Sequence, residues 1–336
     1  MENQEMNSSN ETNEIQFNSR IPLNDLKEQI NAIKTELHKV IVGQHELIDL
    51  LLVALISNGH VLIEGVPGLA KTLTAKLLAK TVQTNFSRIQ FTPDLMPSDI
   101  LGTSVFNNQT NHFEFKKGPV FSNFILIDEI NRSPAKTQAA LFEVMEERQI
   151  TIDGSTYQMQ EPFLVLATQN PIEQEGTYAL PEAQLDRFLM KITIDYPTLE
   201  QEIELLQLEQ ANEKVDKTSL LKPVVNAQQL IDFQKLAQKV MIEPHLIQFI
   251  AQIVNNTRSH SFLYLGASPR ASIAILNASK SFALINGRDF VTPDDIKYVA
   301  YYVLNHRLIL APEREMEGIT IKDVVKQIVD TVEIPR

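Results

Sequence analysis

The 336-residue chain contains no cysteine, which excludes disulfides, thiolate nucleophiles and cysteine-bound zinc and suits a reducing compartment. Long basic runs are also missing: no stretch of Lys and Arg exceeds two residues, and the formal charge is -12. That balance disfavours a free-standing electrostatic grip on nucleic acid, which needs a positive excess or a basic stripe. No segment approaches the ~18 continuous apolar residues of a membrane span. The opening Met1-Glu2-Asn3-Gln4 also lacks the basic and then apolar order of a targeting leader. The expectation is a soluble, cytoplasmic chain without membrane insertion. The seven histidines are scattered without metal-ligand spacing, and no repeat of 20 to 50 residues is visible.

At 43% hydrophobic residues the chain has enough apolar material for two ordinary domains, each with its own core. Residues 1–20 carry five asparagines, four glutamates and a single basic residue, Arg20, and are read as a disordered tail. In 21–197 a helix with apolar positions Leu26, Ile30, Ile33, Leu37 and Val40 leads into alternating apolar runs and helical patterns. The runs are Val61 to Ile63, Ile89 to Phe91, Phe124 to Ile127, Phe163 to Ala167 and Met190 to Ile194. Strands alternating with helices predict an α/β domain around a mostly parallel sheet. Residues 198–336 show helical periodicity without strand signals and read as a separate all-helical domain. A helix start at Thr292-Pro293-Asp294-Asp295 is clear, with a capping threonine, proline at the first position and acids in the first turn.

Two β-hairpins interrupt the α/β pattern. Thr103 to Phe115 has polar Asn107 to Asn111 at its middle, and Ile150 to Tyr157 turns at Asp153-Gly154. Phe106, Phe113 and Phe115 invite a partner-binding reading, yet alternating aromatics more often cover their own sheet, and packing is the preferred expectation. The acidic Glu200 to Glu209 stretch is most simply a solvated helix face.

The chemistry concentrates at strand ends. Gly65-Val66-Pro67-Gly68-Leu69-Ala70-Lys71-Thr72 follows one apolar run and precedes a helical pattern, as a phosphate-binding loop does. Its glycines let backbone N–H groups face phosphates, and the following helix adds its positive end. Lys71 supplies a point charge and Thr72 a hydroxyl for Mg²⁺; Ala70 stands where that motif usually has glycine. Phe124 to Ile127 closes on Asp128 and Glu129, with Asp128 suited to hold Mg²⁺ and Glu129 to orient and deprotonate a water. A helix cap after a buried strand is the plainer alternative. Asn170, after the next strand, offers an amide to water or γ-phosphate, or is a turn residue before Pro171. Arg187 offers a guanidinium for phosphoryl charge, in its own or a neighbouring subunit, or forms a surface pair with Asp186. Arg270 sits in a first helical turn behind Ser268 and Pro269, against the dipole, which points to an anionic ligand or a local acid.

In wording and order these pieces resemble the MoxR family of AAA+ ATPases over about residues 35 to 312. The match rests on Ile41-Val42-Gly43-Gln44, the Gly65 to Thr72 loop and the Arg88 to Asp99 stretch. It continues through Asp128 to Arg132, Ala167 to Pro171, Leu180 to Phe188 and Gly266 to Ala271. Alanine before the lysine is normal in that family. The resemblance implies a P-loop AAA+ parallel-sheet core with β-hairpin inserts and a C-terminal all-helical lid. It implies ATP and Mg²⁺ as ligands, with Asp128 and Glu129 as the Walker B pair, Asn170 as sensor 1, Arg187 as arginine finger and Arg270 as sensor 2. Val42 and Gly43 would lie against adenine, and Arg132 is a rival for the subunit-bridging role.

It further implies an ATP-hydrolysing homo-oligomer, a hexamer ring, whose lid closes over the nucleotide and whose hairpins act on a client protein. Such clients commonly carry a von Willebrand factor A domain and are matured or loaded with metal or cofactor. A chelatase-like or nucleic-acid motor subunit and a non-hydrolysing nucleotide-gated scaffold are the alternatives; the acidic charge weighs against nucleic acid.

Overall fold

The computed structural model describes residues 23–171, 177–211 and 216–334, so the expected tail at 1–20 lies outside the described residues. Helix α1 (Leu23–His38) buries Leu26, Ile30, Ile33 and Leu37, the face predicted from their spacing, and α2 (His45–Ile56) is buried almost all round. A repeating strand-then-helix pattern follows. It runs β1 (Val61–Glu64), α3 (Lys71–Thr81), β2 (Phe86–Gln90) and the short α4 (Pro97–Leu101). The first hairpin is β3 (Gly102–Asn107) with β4 (His112–Lys117), and it leads to β5 (Phe124–Asp128) and α5 (Ala135–Glu147). The second is β6 (Gln149–Ile152) with β7 (Ser155–Gln158). Its turn places Asp153 at φ 51° and Gly154 at φ 77°, the left-handed pair that an Asp-Gly hairpin turn requires. The core region closes with β8 (Leu164–Gln169), a one-turn α6 (Glu182–Leu185) and β9 (Met190–Thr193).

The five strands β2-β5-β8-β1-β9 form one wholly parallel sheet in that order. All five residues of β5 are buried, as a strand covered on both faces must be. Its side chains alternate between two cores. Phe124 and Leu126 join the layer made by α1, α2 and α3, while Ile125 and Ile127 meet Leu141, Phe142 and Met145 of α5.

Beyond Pro197 come α7 (Leu199–Ala211), α8 (Ala227–Lys239) and α9 (Pro244–Ser259). A short β10 (Leu263–Leu265) is followed by α10 (Pro269–Ile285), α11 (Pro293–Leu304), β11 (Ile309–Leu310), α12 (Pro312–Met316) and α13 (Ile321–Thr331). The starts of α10 and α11 carry the expected caps: Ser268 accepts from the Arg270 N–H, and Thr292 forms a capping box with Asp295. The reading of this region as free of strands is corrected, since β10 and β11 pair antiparallel. Strands of three and two residues are too short to show alternation. The helical region shares one continuous apolar cluster with α1 to α3, so the 197/198 division marks a change of architecture rather than a gap in packing.

Candidate active site

Four of the five parallel strands deliver functional residues to one edge of the sheet. β1 runs into the Gly65 to Thr72 loop, β5 ends in Asp128, β8 leads to Asn170, and β2 ends in Gln90. Pro67 to Leu73, Arg88, Gln90, Asp128, Glu129, Thr168 and Asn170 line a cleft of about 370 Å³ there. The loop has the form that phosphates need. Gly68 is at φ 90° with nothing within 4 Å of where a Cβ would stand, and the N-terminus of the eleven-residue α3 opens beside it. Gly65 packs tightly, its absent Cβ leaving 3.1 Å to the Ile194 carbonyl; Leu69 is buried and Val66 half-buried against the core. Ala70 adopts φ 54°, the left-handed conformation that explains why glycine is common at this place in such loops.

Lys71 donates to the Gly65 carbonyl at 2.5 Å. Burial pulls its amine below the ordinary lysine value, and the nearby carboxylates of Asp128, Glu129 and Glu64 oppose that shift. Asp128 is buried and is held by the Arg88 guanidinium at 2.5 Å and by the Thr168 hydroxyl at 3.2 Å. Glu129, at φ 58°, receives the Gln90 amide at 3.0 Å and pairs with Arg132 at 3.2 Å, while its N–H donates to Thr168 Oγ1. Arg132 therefore stands at the carboxylate of its own chain in this structure. With Lys71, Thr72 and two carboxylates converging on one cleft, the donor set fits a phosphate chain with its Mg²⁺, for which Thr72 and Asp128 could serve as ligands.

Val42 lines a second cleft, of about 220 Å³, with Gln44, Leu47, Gly68 to Ala70, Ile192 to Pro197, Gln201 and Leu205. Gly43, at φ 63°, lies directly under the Gln201 side chain. Val42 and Gly43 thus flank the phosphate loop on its apolar side, where Gln44 also donates to the Leu69 carbonyl at 3.2 Å.

Arg187 and Arg270 are elsewhere. Both donate to Glu146, at 3.3 and 2.9 Å, in a third cleft shared with Ser57 to His60, Arg148, Asp186 and Arg307. Ser57 to His60 precede β1 and Arg187 to Leu189 precede β9, so this cleft is at the amino edge of the sheet. The four residues of β1 span about 13 Å between the two edges. The thirteen residues of α5, which begins beside the carboxyl edge and ends beside Glu146, span about 20 Å. The start of the lid helix α10 lies away from the phosphate loop of its own chain. The first turn of α10 is latched at the amino edge instead, where Ser268 donates to Asp186 at 2.8 Å and buried Arg307 reaches the other Asp186 oxygen at 2.7 Å.

Arg88, Gln90, Thr168 and Glu146 carry no individual sign of their role in the sequence, and Asp186, offered there as a partner for Arg187, pairs with Arg307 instead. The available signal for the first two was their i, i+2 spacing on β2, which places both on one face. The aromatic expectation divides: Phe115 packs on Phe121 and Tyr157, but Phe106 and Phe113 form an exposed edge-to-face pair, with Phe113 72% exposed.

Sheet, loop and lid together define the AAA class of nucleotide-binding proteins. Residues 60–190 match the "ATPase family associated with various cellular activities (AAA)", and residues 255–328 match the "AAA lid domain". The chain is 44% identical over 311 residues to Chaperone MoxR1 of Mycobacterium tuberculosis, covering 90% of this chain and 81% of that protein. It is 44% identical to the uncharacterized protein YeaC of Bacillus subtilis, over 93% of this chain and 96% of that one. A crystal structure of a Cytophaga hutchinsonii protein, 47% identical, superposes with a TM-score of 0.86 over 92% of this chain and 96% of that chain. The chain belongs to the MoxR family of AAA+ ATPases. Among the described residues no helix is long and apolar enough to cross a membrane, and no group of three or more His, Asp or Glu is arranged to hold a metal.

Proposed function

We propose that this protein hydrolyses ATP only as an assembly, each nucleotide cleft being completed by Arg187 and Arg270 of a neighbouring copy. The observation that carries this reading is the placement of those two arginines at the amino edge, a full strand length from their own phosphate loop. Within one chain they stand at the edge of the sheet opposite the loop that carries Lys71. Two copies stacked head to tail bring one chain's amino edge to the other's cleft, and repetition of such a heterologous contact gives a ring where its rotation closes.

In this reading Lys71 and the N-terminus of α3 bind the phosphates, and Thr72 and Asp128 hold Mg²⁺, which neutralises phosphate charge. Glu129 orients and deprotonates the attacking water, for which its carboxylate keeps lone pairs beyond those facing Gln90 and Arg132. Asn170 fixes the same water, and the arriving guanidiniums stabilise developing charge. Family resemblance supports a hexameric ring in the cytoplasm, acting on a client with a von Willebrand factor A domain that it matures by metal or cofactor insertion. The exposed Phe106 and Phe113 pair supports the first hairpin as the part that meets the client.

The test is ATP turnover per protomer against protein concentration, with and without added Arg187→Ala subunits. The reading expects turnover that climbs with concentration and is poisoned out of proportion by the variant. A flat rate, unaffected by doping, would contradict it.

A further inference from the structure

Helix α7 is thirteen residues long and buries none of them. Its inner face, Gln201 and Leu205, lines the cleft beside Val42 and the phosphate loop. The opposite face is an apolar stripe of Leu199, Ile203 and Leu206, which are 70%, 47% and 63% exposed. Their spacing of four and three puts them on one line of the helix, a pattern that ordinarily marks the side facing a core. Glu200 and Glu202 rim the stripe, and the helix carries four glutamates without a single basic residue, Glu209 being paired with Lys217. The simplest sequence reading, a solvated acidic face, leaves this apolar line unexplained.

The amino edge carries the complementary surface. Arg148, Arg187, Arg270 and Arg307 line it against two acids, Glu146 and Asp186, leaving a formal charge of 4 − 2 = +2. Ile273, one turn beyond Arg270 on α10 and 59% exposed, provides an apolar contact beside the basic groups. The two surfaces therefore match in charge and both offer large aliphatic groups. Position agrees with chemistry, because α7 lines the second cleft, which shares Gly68 to Ala70 with the phosphate-loop cleft toward which a neighbour's arginines must travel.

We infer that the outer stripe of α7 is the docking surface for a second copy of this chain, received by the Arg270 and Ile273 face of that copy. This rests on the head-to-tail reading proposed above and deepens it by naming the two faces that meet. The contact is heterologous, so each protomer carries both halves and uses each against a different neighbour. Covering Leu199, Ile203 and Leu206 removes apolar surface from water and also shields the nucleotide cleft, where weaker screening strengthens the arginine-to-phosphate attraction.

The experiment pairs two variants outside the catalytic groups, Ile203→Glu/Leu206→Glu and Ile273→Glu, both at exposed positions that the fold does not need. Each alone should raise the protein concentration for half-maximal ATP turnover by about tenfold or more, since interface anchors lost to a charge commonly cost over 1 kcal/mol each. Mg-ATP binding per protomer should be unchanged. Mixed one to one, the pair should recover part of the activity, at the junctions where the intact α7 of one variant meets the intact Ile273 face of the other, while the reverse junctions carry both substitutions. Wild-type concentration dependence of either variant alone would overturn the inference. So would a mixture no more active than either variant alone. If Arg187→Ala subunits fail to poison wild type, the underlying head-to-tail reading fails instead, and the two failures are told apart by that measurement.

Discussion

Arg187 and Arg270, from the sheet domain and the helical lid, bind the two oxygens of a single carboxylate, Glu146, at 3.3 and 2.9 Å. One acid thus links the two domains and holds both guanidiniums side by side. A carboxylate that bridges two arginines occupies them as a phosphate would, which keeps the pair aligned and partly neutralised in the isolated protomer. With Glu146 39% exposed, the attraction is screened, and such pairs are worth at most about 1 kcal/mol. Glu146→Gln should therefore lower the protein concentration for half-maximal turnover by up to about fivefold, with maximal turnover nearly unchanged. A higher half-maximal concentration with a parallel fall in maximal turnover would show that the acid positions the arginines rather than restraining them.

Lys71 and Glu129 should separate binding from chemistry. Lys71→Ala removes a charge-assisted contact to phosphate and should weaken Mg-ATP binding by about 10- to 100-fold. Glu129→Gln should bind Mg-ATP about as tightly as wild type and turn it over ~10²- to 10⁴-fold more slowly. Equilibrium binding and single-turnover hydrolysis on the same preparations distinguish the two.

Ala70 sits in the left-handed region at φ 54°. A Cβ there costs about 1–2 kcal/mol, and glycine gives back ~0.4–1 kcal/mol through a looser unfolded chain. Ala70→Gly should stabilise the protein by about 0.5–1 kcal/mol in urea unfolding while leaving Mg-ATP binding intact. A net loss of stability would mean that the alanine methyl makes a favourable contact outweighing the backbone strain.

His60 is fully buried beneath the arginine cleft, its Nε2 donating to the Met145 carbonyl at 3.1 Å and its Nδ1 accepting the Val165 N–H at 3.0 Å. Burial first, and Arg148 second, push its pKa down to about 4. The unfolded chain therefore binds the proton more readily, so stability is fully present above the ordinary histidine value and is lost as pH falls from about 6.5 to 4. The loss from this group is on the order of 3 kcal/mol at the lower end. Buried His306, also pushed well below its ordinary value, should steepen the fall. His60→Gln should be less stable at pH 8 but show a flatter dependence over that window; an unchanged slope would assign the acid sensitivity elsewhere.

Much of the nucleotide cleft was legible in the sequence, because in a parallel sheet each strand's apolar run ends at the residues that carry chemistry. Gly65 to Thr72, Asp128 with Glu129, and Asn170 are all of this kind. What could not be read were contacts between residues remote along the chain. Arg88 reaches Asp128, and Gln90 reaches Glu129, only through the β2–β5 pairing that sets Gln90 opposite Asp128. Glu146 is 41 residues from Arg187 and 124 from Arg270, and no local pattern announces either bond. The two arginines carry recognisable motifs, yet the edge of the sheet on which they lie followed from the topology alone. Local spacing likewise could not tell Phe115, which packs inward, from Phe106 and Phe113, which do not.

The most direct test of the account mixes Lys71→Ala protein, whose arginines are intact but whose own cleft is weakened, with Arg187→Ala protein, whose cleft is intact. The account predicts that each alone is nearly inactive and that the mixture hydrolyses ATP, the Lys71→Ala copies lending their arginines to the clefts of the others. If Arg187→Ala alone retains full turnover, or if the mixture is no more active than its parts, the arginines do not complete a neighbour's site and the central claim is wrong.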